Sequence, residues 1–430
     1  MKQIEINVEQ KDRVYDDSIL NKDVVVGKFL ESFIDSKKST PGKRGLSDEG
    51  VVNLRESTRH ILMHCNPHDA VDNSETTHLV VGYVQSGKTM SFTALTAMAL
   101  DNKYRLIIYL AGTKLNLLNQ TTERLKKDLI GNNHFNRKFF KIHKDPSTDS
   151  EIEEVVGHLE LSNSPIVLIP ILKHYSHINR ITDLVQNSGV KAALKNETVL
   201  IIDDEADQAS LNSFGRSNSK KSEDEMSSTY DAILKLRASL PGNTYIQYTA
   251  TPQANILISL QDLLSPKTHT LLTPGEGYVG GKLFFGLGNN HDLFNGALIK
   301  EIPQCQVYHK RYNPLSEMPE SLKDALMFHI LAVAISVMWF ENVPFLSMMV
   351  HPSERKICNK KFFNWIEEEL KKWRKNFNRP DGHIQKEIMI NKFKEIFKYA
   401  IEFYDENERP SFDEIFHFIP DILKDRKTYL

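Results

Sequence analysis

The chain has 430 residues, enough for two or three domains with a core in each, and its 54 Lys and Arg nearly balance its 56 Asp and Glu. This balance excludes a bulk basic character, so any nucleic-acid contact must come from a local strip of residues. The three cysteines, Cys65, Cys305 and Cys358, are far apart in the sequence and have no metal-ligand spacing. They fit a reducing compartment, where thiols serve as small core residues.

The N-terminus shows no basic segment followed by an apolar run, so no targeting signal is predicted and we expect a cytoplasmic protein. The apolar stretch 325–340 contains His329 and Ser336 and is shorter than the ~20 residues that a bilayer requires. It predicts a buried helix, and no membrane partner is expected.

Residues 1–76 are predicted to form an N-terminal helical extension. The segment 35–45 is rich in glycine, proline, serine and cationic residues, which indicates a linker. Apolar residues at helical spacing over 51–63 predict a helix that ends before Asn66-Pro67.

From residue 78 onward, short β-rich apolar runs alternate with helical segments. Strands are predicted at 78–81, 105–111, 166–170, 198–203 and 244–249. This alternation predicts an α/β lobe over 77–260, with a parallel sheet covered by helices on both faces. The polar run 212–228 is expected to be a mobile loop beside the active site.

After residue 260, prolines and glycines interrupt the pattern, and residues 261–320 are predicted to be an insertion or connector. A helix at 322–340, a strand at 345–350 and a helix at 359–375 are then predicted, which repeats the alternation of helices and strands. Further helices are expected at about 383–403 and 411–424. Residues 321–430 are therefore predicted to be the start of a second α/β or helical lobe, mostly helical and incomplete.

The segment Gly82-Tyr-Val-Gln-Ser-Gly-Lys-Thr89 matches G-x-x-x-x-G-K-[ST], between an apolar strand and the helical run Met90–Leu100. In this setting backbone N–H groups turn inward on phosphate, Lys88 reaches the β- and γ-phosphates and Thr89 ligates Mg²⁺. The alternative, a chance glycine turn, does not explain the strand, loop and helix together. The motif predicts an ATP site formed by Gly82, Gln85, Ser86, Gly87, Lys88 and Thr89.

The second motif is Val199-Leu-Ile-Ile-Asp-Asp-Glu-Ala-Asp207, an apolar strand that ends in carboxylates. A rigid strand end can place one acid on Mg²⁺ and the next where it polarises the attacking water. Asp204 is predicted to be the metal residue and Glu205 the catalytic residue, together with Lys88. Asp203 competes for the metal role if the strand ends one residue earlier, and a solvated acidic loop is the non-functional alternative.

A third motif, Tyr248-Thr-Ala-Thr-Pro252, again follows a strand. Its small hydroxyl residues, closed by proline, form a short turn. Thr249 and Thr251 are predicted to bond the acidic motif and to couple the nucleotide state to the rest of the lobe. Such turns are common, so the prediction depends on the position of this one after the acidic motif.

The three motifs occur in the order found in superfamily-two helicases, which the chain resembles. The residues that flank the motifs resemble the Z1 domain family of endonuclease-type proteins with a helicase-like ATPase. The resemblance covers about residues 51–352. It is carried by 80–89, 104–112, 119–121, 202–210, 248–255 and 277–281. It implies a RecA-like P-loop fold, ATP and Mg²⁺ as cofactors, and an ATP-dependent, DNA-directed enzyme linked with restriction and phage defence.

The resemblance also implies nucleic-acid contacts at the loop after the second strand, where Thr113, Asn116 and Gln120 are candidates beside Gly112. Helix capping by Thr113 is an equally strong reading. Lys173 and His174, just past the 166–170 strand, form a second candidate contact, although such residues are often simply surface.

The chain departs from the family in lacking a Gln-x-x-Gly-Arg motif, and Gly215-Arg216 is no substitute by position. A truncated or split form is therefore expected, with a second-lobe polypeptide or a downstream protein as partner. The acids at 421 and 425 with Lys427 are too closely spaced for a nuclease site. Two other functions stay open: a nucleotide-dependent switch or scaffold that does not move on DNA, and an inactive remnant.

Overall fold

The computed structural model describes residues 23–38, 45–70, 74–84, 86–131, 136–161, 165–211, 228–257, 262–275, 278–281, 299–309, 311–340, 346–353, 355–403 and 409–425. The chain divides into two compact units, Met1–Gly280 and Gly281–Leu430.

The first unit is built on one parallel sheet. Its strands within the described residues are β1 (Glu75–Val81), β2 (Leu106–Leu110), β3 (Phe140–Ile142), β4 (Ile166–Ile171), β5 (Val199–Asp204), β6 (Asn243–Thr249) and β7 (Thr268–Leu271). They lie in the order β3-β4-β2-β5-β6-β1-β7, and every pair is parallel. All carboxyl ends therefore lie at one edge, where ligands bind in open α/β sheets.

Helices cover both faces of this sheet. They are α1 (Lys28–Lys37), α2 (Asp48–Met63), α3 (Lys88–Asp101), α4 (Leu115–Leu125), α5 (Asn136–Phe139), α6 (Asp149–Glu160), α7 (Tyr175–Gln186), α8 (Ser188–Ala193), α9 (Ser228–Ala238) and α10 (Gln253–Leu257). A π-helical turn, Lys126–Ile130, extends α4. One core packs α1, α2 and α3 on the sheet, and a second packs α6 to α9 on the opposite face.

The predicted RecA-like α/β fold is confirmed. Each of the five predicted strands is present, with ends within three residues of those expected from the sequence. The helix expected at 51–63 is also present, as α2. Of the loop expected at 212–228, only Ser228 lies within the described residues, and it begins α9.

Two strands, β3 and β7, are not predicted from the sequence. Both lie at edges of the sheet. β7 falls inside the expected connector 261–320 and pairs in register with His78–Val81 of β1. It is short and partly polar, with only Thr270 buried, so its apolar pattern is weak.

The second unit is helical in its described part. It contains α11 (Glu320–Trp339), α12 (Lys356–Phe377), α13 (Ile384–Ala400), α14 (Phe412–Phe416) and α15 (Ile419–Asp425). They share a core around Trp373 and Phe393. The predicted helices are confirmed.

The strand predicted at 345–350 is wrong for its described part, because residues 346–350 have no regular secondary structure. Met348 and Val350 pack against the core of the second unit, whereas Met349 is 88% exposed. The alternation typical of a strand is thus present, although these residues pair with no strand in the described part of the second unit.

Helix α11 has 20 residues and is long and apolar enough to cross a membrane by length and composition, the one such helix in the described residues. Its length corrects the expectation that this stretch is too short. Leu326, Ile330 and Ala334 are buried at helical spacing, so one stripe of the helix faces the core of its unit.

Candidate nucleotide-binding site

The loop between β1 and α3 is held against the sheet at its first residue. The N–H of Gly82 donates to the carbonyl oxygen of Thr249 at 3.1 Å, beside the end of β6. A Cβ on Gly82 would meet Cγ of Lys88 at 2.8 Å, so glycine lets the lysine fold back over the loop. Gly87 has a φ of +99°, in the left-handed region that favours glycine, and α3 begins at the next residue.

This loop fits a phosphate group. Ser86 Oγ is buried without a hydrogen-bond partner in the described structure, and the first turn of α3 has no side-chain cap. An unpaired buried hydroxyl costs about 1–3 kcal/mol, and the free N–H groups of a helix start attract anions. The predicted residues Gly82, Ser86, Gly87, Lys88 and Thr89 lie together here. Gln85 lies outside the described residues.

Tyr278 supports the loop from outside, a role that the sequence does not predict. Its hydroxyl donates to the carbonyl oxygen of Val84 at 2.7 Å, and its ring lies 5.7 Å from that of Tyr83. The sequence did single out this region, because Tyr278 lies in the 277–281 segment that carries the family resemblance.

The carboxylates at the end of β5 divide into a structural acid and an accessible one. Asp203 is fully buried, accepts a hydrogen bond from the Tyr245 hydroxyl and lies 2.6 Å from Nζ of Lys173. Asp204 is only partly buried and ends the strand. A metal ligand needs at least one oxygen that the ion can reach, and the Asp203 carboxylate is enclosed and paired with Lys173 and Tyr245. The geometry therefore favours Asp204 over Asp203 as the metal residue, and that role stays a prediction.

The environment of Asp204 opposes its negative charge. Burial, followed by the neighbouring carboxylate of Glu205, raises the pKa of Asp204 from 3.8 to about 6, although Lys173 and Lys88 act in the opposite direction. A carboxylate under such repulsion gains from a nearby cation. The P-loop and the acidic loop lie next to each other, because the N–H of Gly82 and the N–H of Ala206 donate to the carbonyl oxygens of Thr249 and Tyr248, consecutive residues at the end of β6.

Lys173 is a buried structural residue, which corrects the prediction that it contacts nucleic acid. Its ammonium is fully enclosed. It donates to the carbonyl oxygens of Asp204 at 2.7 Å, Glu205 at 2.8 Å and Gln208 at 3.3 Å. An ammonium has three donors, and here all of them are committed to the acidic loop. His174, the other member of that candidate contact, is exposed and caps α7.

The backbone of the acidic loop is in an unfavourable conformation that Lys173 helps to hold. Glu205 has a φ of +53°, in the left-handed region, which costs a non-glycine residue about 1–2 kcal/mol. The ammonium of Lys173 binds the carbonyl oxygen of this residue and that of Asp204 before it. We infer that Lys173 fixes the position from which the predicted catalytic carboxylate works.

The turn after β6 is bonded to the same loop. Thr249 Oγ1 donates to Asp207 Oδ1 at 2.7 Å, and Thr251 Oγ1 donates to Asp207 Oδ2 at 2.8 Å. The hydrogen bonds expected between this turn and the acidic motif are therefore present, and the coupling role of the two threonines stays a prediction.

The predicted nucleic-acid residues lie at the carboxyl edge of the sheet. All three are exposed: Thr113 lies in the loop before α4, Asn116 in its first turn and Gln120 in its second turn. The N-cap of α4 is Lys114, without a side-chain capping bond, so Thr113 does not cap this helix. The N–H of Lys173 donates to the carbonyl oxygen of Gly112 at 2.8 Å, which ties this loop to the lysine of the acidic site.

We expect Asp204→Asn to stabilise the protein in the absence of Mg²⁺ and nucleotide. Because the folded-state pKa is raised, ionisation of Asp204 costs stability as the pH rises from about 4 to about 6. Above that range the variant should be more stable by on the order of 1–3 kcal/mol, and near pH 4 the difference should vanish. Thermal unfolding at several pH values measures this difference.

Asp203→Asn is the matched control for this prediction. It leaves the Lys173 ammonium buried without its counter-charge, so it should destabilise the protein near pH 4 and above pH 6 alike. The opposite pattern for the two variants would move the predicted metal role to Asp203.

The chain was compared with curated proteins, solved structures and protein-family models. No protein of curated function matches the sequence. Among solved structures, the chain is similar to the helicase MrfA bound to DNA and AMPPNP, with 12% identity and a TM-score of 0.36 over 59% of this chain and 30% of that one. It is also similar to the DEAD-box helicase Mss116 bound to ssRNA and UDP-BeF, with 14% identity and a TM-score of 0.38 over 60% of this chain and 44% of that one. The chain thus spans less than half the length of either helicase.

The family model of the Z1 domain matches residues 321–428, which lie in the second unit. The resemblance inferred from the motifs covers about residues 51–352, so it overlaps this match only over 321–352. Residues 321–428 match the Z1 domain, and the predicted resemblance to the Z1 domain family is confirmed for this segment.

Proposed function

We propose that the first unit binds Mg·ATP and hydrolyses it as the motor lobe of a DNA-directed, Z1-type enzyme that acts in restriction or phage defence. The observation that carries the proposal is the convergence of the P-loop and the acidic loop at the carboxyl edge of one sheet. The N–H groups of Gly82 and Ala206 donate to the carbonyl oxygens of Thr249 and Tyr248, which are consecutive residues at the end of β6.

The residues have distinct tasks in this proposal. The N–H groups at the start of α3, Ser86 and Lys88 bind phosphate oxygens, while Thr89 and Asp204 hold Mg²⁺. The metal would neutralise charge on the phosphates. Glu205 orients and polarises the attacking water, and Lys173 holds the backbone of Glu205 in place. The hydrogen bonds of Thr249 and Thr251 to Asp207 would transmit the state of the site to the end of β6.

Hydrolysis by the chain alone is expected to be slow. An arginine delivered to the γ-phosphate contributes about 10³–10⁵ in rate in related reactions, and the sequence lacks the motif that supplies it. Steady-state ATPase measured with and without DNA, beside Glu205→Gln, checks this. Fast turnover that depends on Glu205 and rises with DNA would mean that another arginine completes the site.

DNA binding is expected to depend on Asn116 and Gln120. Each hydrogen bond to a phosphate contributes about 1 kcal/mol, so the double variant Asn116→Ala/Gln120→Ala should weaken binding by about tenfold or more. Fluorescence anisotropy with single-stranded DNA at two salt concentrations measures this, because phosphate contacts weaken as salt rises.

Gln186→Ala is the control, since this exposed glutamine ends α7, on the far side of the sheet from the predicted contacts. Equal affinity of the wild type and the double variant would remove this surface from the proposal. Tight nucleotide binding with no DNA binding at all would favour the second candidate, a nucleotide-dependent switch or scaffold.

A further inference from the structure

A second cluster of ligand-type side chains lies away from the nucleotide site, near the edge strand β3. One ligand atom each from His143, Glu154 and His158 lies within 4.8 Å of those of the other two. His143 follows β3 directly, and Glu154 and His158 are four residues apart on α6. Four-residue spacing puts two side chains on one face of a helix.

The three side chains already contact each other. His143 Nε2 lies 2.9 Å from His158 Nδ1, and His143 Nδ1 lies 3.8 Å from Glu154 Oε2. One of the two facing nitrogens carries the proton of this hydrogen bond. A shift of that proton to the other nitrogen of the same ring leaves both facing lone pairs, beside the Glu154 carboxylate, available to a cation. A tetrahedral ion with metal-nitrogen bonds of about 2.0–2.1 Å would hold the two nitrogens roughly 3.3 Å apart. To bind the ion, His143 Nε2 and His158 Nδ1 therefore need to move apart by only a few tenths of an ångström.

The scaffold under this cluster is fixed on both sides. The N–H of His143 donates to the carbonyl oxygen of Leu168 in β4 at 2.9 Å. Helix α6 begins with a capping box in which Thr148 and Glu151 bond each other's backbone. Val155 and Leu159 of α6 are buried in the core. The side chains are thus carried by rigid elements, as a metal site requires.

Burial disfavours the charged form of both imidazoles. Burial lowers the pKa of His143 below its ordinary value, with His158 as the next cause, and burial followed by Lys141 lowers the pKa of His158. Neutral imidazole is the form that binds metals.

A cavity of about 480 Å³ adjoins the cluster. Lys126, Arg137 and Lys141 are among its lining residues, so it has room for water or a small anion and the charge to attract one. Two imidazoles and one carboxylate with a fourth position open is a ligand set typical of Zn²⁺.

We propose that His143, Glu154 and His158 bind a zinc-class divalent cation, with water or an anion from the adjoining cavity as the fourth ligand. The site is separate from the ATP site, because its residues lie directly after β3 and on α6 and none of them belongs to the P-loop or the acidic motif. It does not depend on the proposed function.

The test is titration of the full chain, stripped of metal by a chelator, with Zn²⁺ in a calorimeter without nucleotide. We expect one Zn²⁺ per chain at this site. Loss of a residue that only hydrogen-bonds a metal ligand weakens metal affinity by about 10–100-fold. Glu154→Ala and His158→Ala remove the ligands themselves, so each should weaken Zn²⁺ binding by on the order of a hundredfold. Co²⁺ should give the visible absorption of a tetrahedral site, and both variants should lose it.

Matched controls separate this site from others. Glu153→Ala changes an exposed acid beside Glu154, and His417→Ala changes an exposed histidine of the second unit. Both should bind Zn²⁺ as the wild type does, and so should Lys88→Ala, which is expected to lose ATP. If His158→Ala fails to fold, the exposed position of Glu154 keeps the test decisive. A wild type that takes up no Zn²⁺, or a Glu154→Ala variant that binds it as tightly as the wild type, would overturn the proposal.

Discussion

Lys88→Ala is expected to abolish measurable binding of Mg·ATP while leaving the fold intact. Lys88 is the first residue of α3, and its side chain folds back over Gly82 at the mouth of the loop. A hydrogen bond to a charged group contributes about 1.5–3 kcal/mol. Loss of contacts to two phosphates then amounts to on the order of a hundredfold or more in the dissociation constant. Titration of a fluorescent ATP analogue measures the change.

Lys103→Ala is the control for this variant. Lys103 is an exposed lysine just beyond the other end of α3, so its loss changes the net charge equally and removes no loop contact. Unchanged affinity in Lys88→Ala would remove the nucleotide assignment, and with it the proposed function. Equal losses in the two variants would show that general charge, and not the loop, attracts the nucleotide.

Lys173→Met should have the largest effect on stability and should also impair the acidic site. The substitution leaves the carboxylate of Asp203 buried without its counter-charge and frees three carbonyl oxygens of the acidic loop. Breaking a buried ion pair from one side costs about 3–5 kcal/mol. Chemical denaturation should show a loss of this size, and Mg²⁺-dependent nucleotide binding should weaken in the molecules that stay folded.

The double variant Lys173→Met/Asp203→Asn distinguishes the ion pair from the packing around it. It removes both charges, so it should recover part of the stability lost in Lys173→Met. It does not restore the hydrogen bonds to the carbonyl oxygens of Asp204 and Glu205, so the nucleotide defect should persist. The exposed Lys195→Ala serves as the neutral reference. A small effect in Lys173→Met would mean that the acidic loop holds its conformation unaided.

The central strands could be predicted from the sequence because each is apolar on both faces. β2 and β4 are buried along their whole length, so they appear as uninterrupted apolar runs. The edge strands β3 and β7 bury less, and β3 has only three residues. The P-loop was predictable because its residues are consecutive, and its chemistry is local to one loop.

Lys173 and the histidine cluster could not be predicted, because their partners are distant in the sequence. Lysine just past a strand is usually exposed, and only the folded sheet brings Lys173 to Asp203, 30 residues later. The His143 and His158 side chains meet through the packing of α6 against the sheet. The four-residue spacing of Glu154 and His158 was a visible but weak signal, since it gains meaning only beside a third ligand.

Lys173 bonds to two loops through different atoms. Its N–H holds the carbonyl oxygen of Gly112, next to the predicted nucleic-acid residues, and its ammonium holds the backbone of the acidic loop. A shift of either loop therefore changes the hydrogen bonds available to the other. If a nucleic acid displaces the first loop, thermodynamic linkage requires that nucleotide alter DNA affinity by the same factor as DNA alters nucleotide affinity. This reciprocity would give the two binding reactions a shared coupling free energy, to which the backbone N–H and the ammonium of Lys173 both contribute.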